Sequence, residues 1–267
     1  MKSYTMLSHV NLANVTAAYT AQTYDCLYGT LGSNVQISIA NNATVWLGGV
    51  SINANGTMTG EYAGITCLGN ATINLADGTT NTVRGMADYY SGIFVPHNDT
   101  GEGDEYTLTI QGTGTLNAFG GQNAAGIGAN SRYDSGNIVI AGGIINATGG
   151  ESAAGIGSGF MSSSQTNFCG DITISGGTIT ANGGNYAAGI GSAGYGRCND
   201  IVINGGTIYA TGGQFAPGIG AGANNGLTGD ITINGGNITA TGGEGAAGIG
   251  TGTNSSQCNE ITIENTV

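Results

Sequence analysis

Basic residues are scarce in this chain of 267 residues. Lysine and arginine total 4 against 16 acidic residues, which gives a net charge of -12 at pH 7. Proteins that bind phosphate backbones do so through basic surfaces, so this balance argues against nucleic acid as a partner. The same acidity disfavours acidic polymers and anionic lipid surfaces unless divalent cations bridge the two.

Long apolar runs and paired cysteines are also missing. No stretch of 18 apolar residues exists, so we predict no membrane insertion. Polar residues interrupt the apolar run of residues 1–21, which is too weak for a signal peptide. The cysteines are odd in number and form no CxxC pair, so neither a disulfide framework nor a zinc site is indicated. Cys169, Cys198 and Cys258 are expected to share one column, in which Cys169 and Cys198 lie at a bridgeable distance in principle. Because stacked residues on one face often have the wrong geometry for a disulfide, we expect buried free thiols there.

Glycine, in contrast, is abundant, with 53 residues against only 2 prolines. This composition favours many tight turns between short strands. A repeat of roughly 30 residues is the strongest pattern in the sequence. Its corner motif is AAGIG at 124–128, 153–157, 187–191 and 246–250, with APGIG at 216–220.

Two further segments recur in each repeat, one of the type GDITI and one of the type GGTIT. Alternate side chains of a strand face opposite ways, so the isoleucines of Asp171-Ile172-Thr173-Ile174 share one face. Stacked coils place each isoleucine on its counterpart, and crossover connections between parallel strands are right-handed. We predict an all-β protein, a right-handed parallel β-helix or solenoid of about eight coils with three short strands per coil. The first column is expected at Ile37, Ile73, Leu108, Ile138, Ile172, Ile201, Ile231 and Ile261.

The two ends differ from the repeat. Residues 1–33 lack it and are predicted to be an N-terminal cap segment, with the β-helix repeat domain at 34–267. The final ITIENTV stops in mid-coil, so the C-terminal end is expected to be uncapped. An unpaired strand row promotes pairing with another chain. We therefore expect either a longer parent protein or self-association through an edge that includes Ile261 and Ile263.

The residues resemble a known family. The runs ATINLADGTTNTVRG at 71–85, GIFV at 92–95 and YTLTIQGTGTLNAFGG at 106–121, with the repeats that follow, are similar to glycine-rich carbohydrate-binding β-helix domains on secreted and surface proteins of anaerobic bacteria. The resemblance covers the chain from about residue 20. Members share the pectate-lyase-like shape of polysaccharide lyases and are regarded as binding or adhesive modules. The resemblance therefore implies extracellular carbohydrate binding without catalysis.

Outward aromatic side chains are the best candidates for contacting sugars, because a flat ring presents an apolar face and tolerates water at its rim. Trp46 is expected to face outwards in one column with Arg84 and Tyr209. Tyr186 and Phe215 precede the corner motif in neighbouring coils. The alternative is that Trp46 lies beneath the cap and the loop rings pack on their own coils. The candidates for carbohydrate binding are Trp46, Arg84, Tyr133, Phe160, Tyr186, Tyr195, Tyr209 and Phe215.

Acidic residues offer two candidate calcium sites. The loop HNDTGEGDE at 97–105 has the oxygen density of a calcium site, although its spacing does not match an EF-hand, and a solvated turn is the alternative. The second candidate is a column at Asp171, Asp200, Asp230 and Glu260, which could bind calcium between coils. We favour the alternative that each of these side chains accepts hydrogen bonds from the backbone of its own turn. No other cofactor is expected. The loop candidates are Asp99, Glu102, Asp104 and Glu105.

The sequence thus predicts a non-catalytic carbohydrate-binding or adhesive module of a bacterial surface protein, located outside the cell or on its surface. Catalysis is not expected, because no basic residue lies beside a carboxylate cluster and His97 has no nucleophile partner at a visible spacing. The alternative is a structural subunit of a surface fibre, filament or phage-like particle that grows by end-to-end stacking of coils. Ice binding through threonine columns is disfavoured, because Ile144, Tyr209 and Asn237 interrupt them.

Overall fold

The computed structural model describes residues 7–99, 105–161 and 167–264. Its strands pair in parallel with the equivalent strands of the preceding and following repeats. The fold is a right-handed parallel β-helix, as predicted from the repeat. Among the described residues no helix is long and apolar enough to cross a membrane.

Two ladders of strands share the long strand Ala43–Ile52, which takes part in both. The first ladder continues with Ala71–Leu75, Thr107–Gly112, Asn137–Ile140, Ile172–Ile174, Ile201–Ile203, Ile231–Ile233 and Ile261–Ile263. The second continues with Thr80–Arg84, Thr115–Phe119, Ile144–Thr148, Thr178–Asn182, Thr207–Thr211 and Asn237–Thr241. With its seven strands the second ladder gives about seven turns, slightly fewer than the eight coils predicted.

The corner motif forms a third ladder, and the later coils add a fourth. The third consists of Tyr19–Ala21, Ile37–Ile39, Ile65–Cys67, Ile93–Phe94, Ile127–Gly128, Ile156–Gly157, Ile190–Gly191, Ile219–Ala221 and Ile249–Thr251. The fourth consists of Asn167–Cys169, Gly196–Cys198, Leu227–Thr228 and Gln257–Cys258. Each later coil therefore has one short strand more than the sequence pattern indicates.

The last glycine of the corner motif explains why that motif recurs. Gly128, Gly157 and Gly191 have φ between +129° and +136°, a range that side chains rarely adopt. A Cβ on Gly157 would lie 1.9 Å from the carbonyl oxygen of Gly191 in the next coil. Both the turn and the approach of the neighbouring coil therefore require glycine here.

The isoleucine rows form the interior, as the alternation predicts. Ile172 pairs with Ile138 and Ile201, and Ile201 pairs in turn with Ile231. All four side chains are fully buried. Each contributes about 1.5–3 kcal/mol relative to an exposed position.

The predicted column is wrong in the first coils. Ile37 pairs with Tyr19 in the third ladder and not with Ile73, whose partners are Val45 and Ile110. The cause is the strand Ala43–Ile52, which runs without a corner from the first ladder into the second. Coils upstream of residue 105 thus depart from the spacing of the later repeats.

The N-terminal residues continue the parallel pairing. Ser8–Asn11 pairs with Asp25–Thr30, which pairs with Ala43–Ile52, and a short 3-10 helix covers Leu12–Asn14. Leu12, Leu27 and Leu31 are buried against the first coil. The division of the chain at residue 33 stays a prediction.

Candidate functional site

Two aromatic rings stack outside the third ladder. Tyr186 and Phe215 occupy equivalent positions before the corner motif in adjacent coils. Their ring centroids are 5.5 Å apart and their planes are inclined by 21°. Both side chains are half-buried. The spacing of the coils thus produces an offset stack of the kind that stabilises aromatic pairs.

The loops after the corner motif bring two more rings to the same edge. Phe160 and Tyr195 meet edge to face, with centroids 6.4 Å apart. A Cβ on Gly194 would lie 3.1 Å from the Cβ of Tyr186, so the loop that carries Tyr195 touches the stacked pair. These four side chains, Phe160, Tyr186, Tyr195 and Phe215, are called the aromatic strip below.

A groove of about 610 Å³ lies beside the aromatic strip. Tyr133, whose side chain is 58% exposed, forms one wall. The groove is close to the strip, because Met161 follows Phe160 in the chain and the Ser131 hydroxyl donates to the Phe160 carbonyl oxygen at 3.0 Å. This Tyr133 groove is lined by Phe94, Pro96, His97, Asp99, Arg132, Tyr133, Asp134 and Met161.

Glu105, one of the predicted calcium ligands, is committed to other contacts. Its Oε2 lies 2.6 Å from Nδ1 of His97, and its Oε1 accepts hydrogen bonds from the backbone N–H groups of Asn98 and Tyr106 at 2.7 Å and 3.1 Å. Glu105 therefore fastens the two ends of the acidic loop. His97, for which the sequence offers no nucleophile partner, lines the Tyr133 groove.

The other loop candidates give no metal site in the described part of the chain. Asp99 is exposed at the Tyr133 groove, while Glu102 and Asp104 lie outside the described residues. No group of three His, Cys, Asp or Glu side chains within residues 7–99, 105–161 and 167–264 is placed to hold an ion. Calcium binding by the loop stays a prediction.

Trp46 faces outwards but not in the column predicted for it. Its strand neighbours are Cys26 and Asn74, so it lies in the first ladder and apart from Arg84 and Tyr209 in the second. The ring of Tyr24 stacks on it, with centroids 6.2 Å apart and planes inclined by 24°. Trp46 is thus partly covered by the N-terminal segment, the alternative considered from the sequence.

The two remaining candidates lie on the outer face of the second ladder. Arg84 rests over the ring of Phe119, 4.4 Å from its centroid, and its buried Nε has no hydrogen-bond partner within the described residues. Tyr209 lies between Thr180 and Thr239 and is 46% exposed. The two do not share the predicted column, because the column of Tyr209 leads back to Thr82, two residues before Arg84. Five candidates therefore meet at the strip and groove, and three lie elsewhere.

Sequence reasoning missed several neighbours of these sites. Arg132 approaches the Tyr89 ring at 5.3 Å from its centroid, and Phe119 lies beneath the Arg84 guanidinium. Phe119 could have been found, because it occupies an outward position of a strand whose alternation is clear. Tyr89 lies in an irregular loop, where no periodicity indicates the direction of a side chain.

The acidic column forms a hydrogen-bond ladder between coils. Asn137 Oδ1 accepts from the backbone N–H of Asp171, Asp171 Oδ1 from that of Asp200, and Asp200 Oδ1 from that of Asp230, at 2.8, 3.3 and 2.8 Å. Asp230 accepts from Glu260 in the same way at 3.2 Å. The donor is thus in the next coil, which corrects the expectation that each carboxylate serves its own turn.

The ladder predicts different effects for two substitutions of Asp200. Asp200→Ala removes the acceptor for the Asp230 N–H and should lower the free energy of unfolding by about 1 kcal/mol. Asp200→Asn should change it by less than about 0.5 kcal/mol, because Asn137 makes the same contact with an amide oxygen. Urea denaturation of both variants measures the difference. Equal losses would show that the negative charge, and not the acceptor, is required.

Comparison with known proteins identifies the repeat. A family model described as a β-helix repeat matches residues 108–131, 138–160, 172–195, 201–223 and 231–253. Each match begins in a strand of the first ladder and ends after the corner motif. Comparison with curated proteins and with solved structures gives no match. The five matched segments are therefore β-helix repeats within the right-handed parallel β-helix domain.

Proposed function

We propose that the chain is a non-catalytic carbohydrate-binding or adhesive module of a bacterial surface protein and that the aromatic strip and the Tyr133 groove contact a polysaccharide. The observation that supports this most is the convergence of four half-buried rings on one edge, beside a groove that also carries the exposed ring of Tyr133. Aromatic rings offer apolar faces to sugars at low cost in side-chain entropy.

The arrangement suits a polymer better than a single sugar. The strip crosses successive coils, which lie about 4.8 Å apart, so one chain can make contacts at several of them. Several simultaneous contacts give a higher affinity than any single contact provides. The polar side chains of the groove, Arg132, Asp134 and Asp99, supply donors and acceptors for sugar hydroxyls.

We also propose that the chain does not catalyse a reaction. The strip consists of two phenylalanines and two tyrosines, which provide contact area, whereas glycoside hydrolysis uses a pair of carboxylates flanking the bond. We also propose a location outside the cell or on its surface, because the bacterial β-helix domains that this sequence resembles occur on secreted and surface proteins.

Binding to a panel of immobilised glycans, with and without calcium, tests the proposal. Phe215→Ala should weaken binding about tenfold, since an aromatic contact contributes roughly 0.5–1.5 kcal/mol beyond its buried area. Tyr209→Ala is the control, because that exposed ring lies on the second ladder, away from the strip and the groove. Retention on none of the glycans, or equal losses for both variants, would contradict the proposal.

Self-association through the C-terminal edge remains the alternative predicted from the sequence. Ile261 and Ile263 are 42% and 62% exposed, in contrast to the buried Ile231 and Ile201 of the same ladder. An exposed apolar strand is a surface to which another strand can pair. That the chain is a subunit of a fibre therefore stays a prediction.

A further inference from the structure

One interior column of the β-helix consists of small polar and sulfur-containing residues. Ser135 forms a backbone β-bridge with Cys169 in the next coil. Further along the column, Cys169 is the strand partner of Cys198, Cys198 is that of Thr228, and Thr228 is that of Cys258. The fourth ladder thus places hydroxyls and thiols where the other ladders place isoleucine. Cys169 and Cys198 are the only two cysteines among the described residues that occupy directly paired positions in adjacent coils.

The two thiols lie on the same inner face of adjacent coils. Cys169 and Cys198 are direct partners in parallel strands, both are buried, and Cys198 Sγ lies 3.6 Å from the carbonyl oxygen of Gly170. Paired residues of adjacent strands have Cα atoms about 4.8 Å apart. Disulfides span Cα separations of roughly 4.4–6.8 Å. The backbone therefore already holds this pair within bonding range.

The other cysteines are excluded as partners. Cys258 is two coils from Cys198, about 9.6 Å, which exceeds the span of a disulfide. Cys26 pairs with Trp46, and Cys67 pairs with Ile39 in the third ladder. All five thiols are free.

A small oxidant has a route to the pair. Cys198 lines a surface groove of about 260 Å³ together with Phe168, Arg197, Leu227 and Thr228. Cys169 is fully buried behind it, whereas Cys198 retains 4% exposure. Oxidation therefore starts at Cys198, which a molecule of the size of hydrogen peroxide can reach.

We infer that Cys169 and Cys198 form an oxidisable dithiol that closes to an inter-coil disulfide when the protein meets hydrogen peroxide. The Cys198 thiolate attacks one peroxide oxygen, the O–O bond breaks, and water leaves after protonation, which gives a sulfenic acid. The Cys169 thiolate then attacks that sulfur, and a second water leaves as the S–S bond forms. Two thiols and one hydrogen peroxide yield one disulfide and two waters.

The reaction should be slow near neutral pH. Hydrogen bonding with Cys169, followed by burial, raises the pKa of Cys198 well above its usual value. Since the thiolate is the nucleophile, a raised pKa lowers the reactive fraction at pH 7, and the rate of disulfide formation should rise with pH. This pair is therefore suited to persistent cross-linking and not to rapid signalling.

Treatment of the reduced, folded full chain with hydrogen peroxide tests the inference. Thiol titration in denaturant should fall from five groups to three, and peptide mapping without reductant should recover a peptide that joins Cys169 to Cys198. The urea midpoint should rise and return to its first value after reduction, because the cross-link restricts the unfolded chain.

Serine variants provide the controls. Ser135 and Thr228 show that the column accepts hydroxyls, so Cys169→Ser and Cys198→Ser should fold, and each should abolish the cross-link and the shift of the urea midpoint. Cys67→Ser should leave both unchanged, since that thiol is buried in another ladder. Five titratable thiols after oxidation, a sulfinic acid at Cys198 without a cross-link, or a bridge between other cysteines would overturn the inference.

Discussion

Gly213→Ala is expected to lower the free energy of unfolding by about 3 kcal/mol or more. A Cβ at this position would lie 1.8 Å from the carbonyl oxygen of Gly184 and 2.3 Å from its carbonyl carbon. Both atoms belong to the backbone of the preceding coil, which cannot rotate away as a side chain would. The Gly213 N–H also donates to the Ala187 carbonyl oxygen at 3.1 Å, so separating the coils would break bonds between them.

Gly32→Ala is the matched control for this prediction. No atom lies within 4 Å of the Cβ that it would add, and its φ is not in the left-handed range. Its effect should stay within about 0.5 kcal/mol, as for most surface substitutions. Urea or thermal unfolding of the two variants in parallel measures the difference. A tolerated alanine at 213 would mean that the coils are more widely spaced than the structure places them.

Ile145→Ala should cost about 2–5 kcal/mol, the range for large-to-small changes in a packed core. The side chain is fully buried and stacks between Leu116 and Ile179 in the second ladder. Removing three of its carbon atoms leaves a cavity that neighbouring coils cannot close, because their backbones are held by parallel ladders. The loss should appear in the midpoint of chemical denaturation.

The adjacent residue offers the control, since Ile144 has the same side chain on the opposite face of the strand. It is 45% exposed, so Ile144→Ala should change stability by less than about 0.5 kcal/mol. A reversed order of the two losses would indicate that this strand is shifted by one residue, which exchanges its inner and outer faces. Ile144 and Ile145 therefore test the register directly.

Sequence periodicity predicted the later coils well because their spacing is nearly constant. From Ile138 to Ile261 every isoleucine of the first column has the partner that the repeat assigns to it. The first coils were assigned less well. The strand Ala43–Ile52 lacks the glycine corner that marks a change of ladder, so counting residues placed Ile37 and Trp46 in the wrong columns.

Strand alternation in the sequence located only part of the candidate site. Alternation indicated that Trp46 and Tyr209 point outwards, and both do. It could not place Tyr133, Phe160 and Tyr195, which lie in loops of unequal length. Nor could it show that the Asp171 column bonds to the next coil, because the hydrogen-bond donor is a backbone group about 30 residues away along the chain.

The sequence by itself determined the kind of fold, its interior and its repeating corners, because these follow from strand alternation and from positions where only glycine fits. The tertiary structure decided which side chains meet. The repeat put Tyr186 and Phe215, and Cys169 and Cys198, at equivalent positions of neighbouring coils, as the structure confirms. Only the loop paths showed that Phe160 and Tyr195 meet at the same edge as the stacked rings. Contacts between coils depend on register across about 30 residues, which a local pattern fixes only where the repeat is regular.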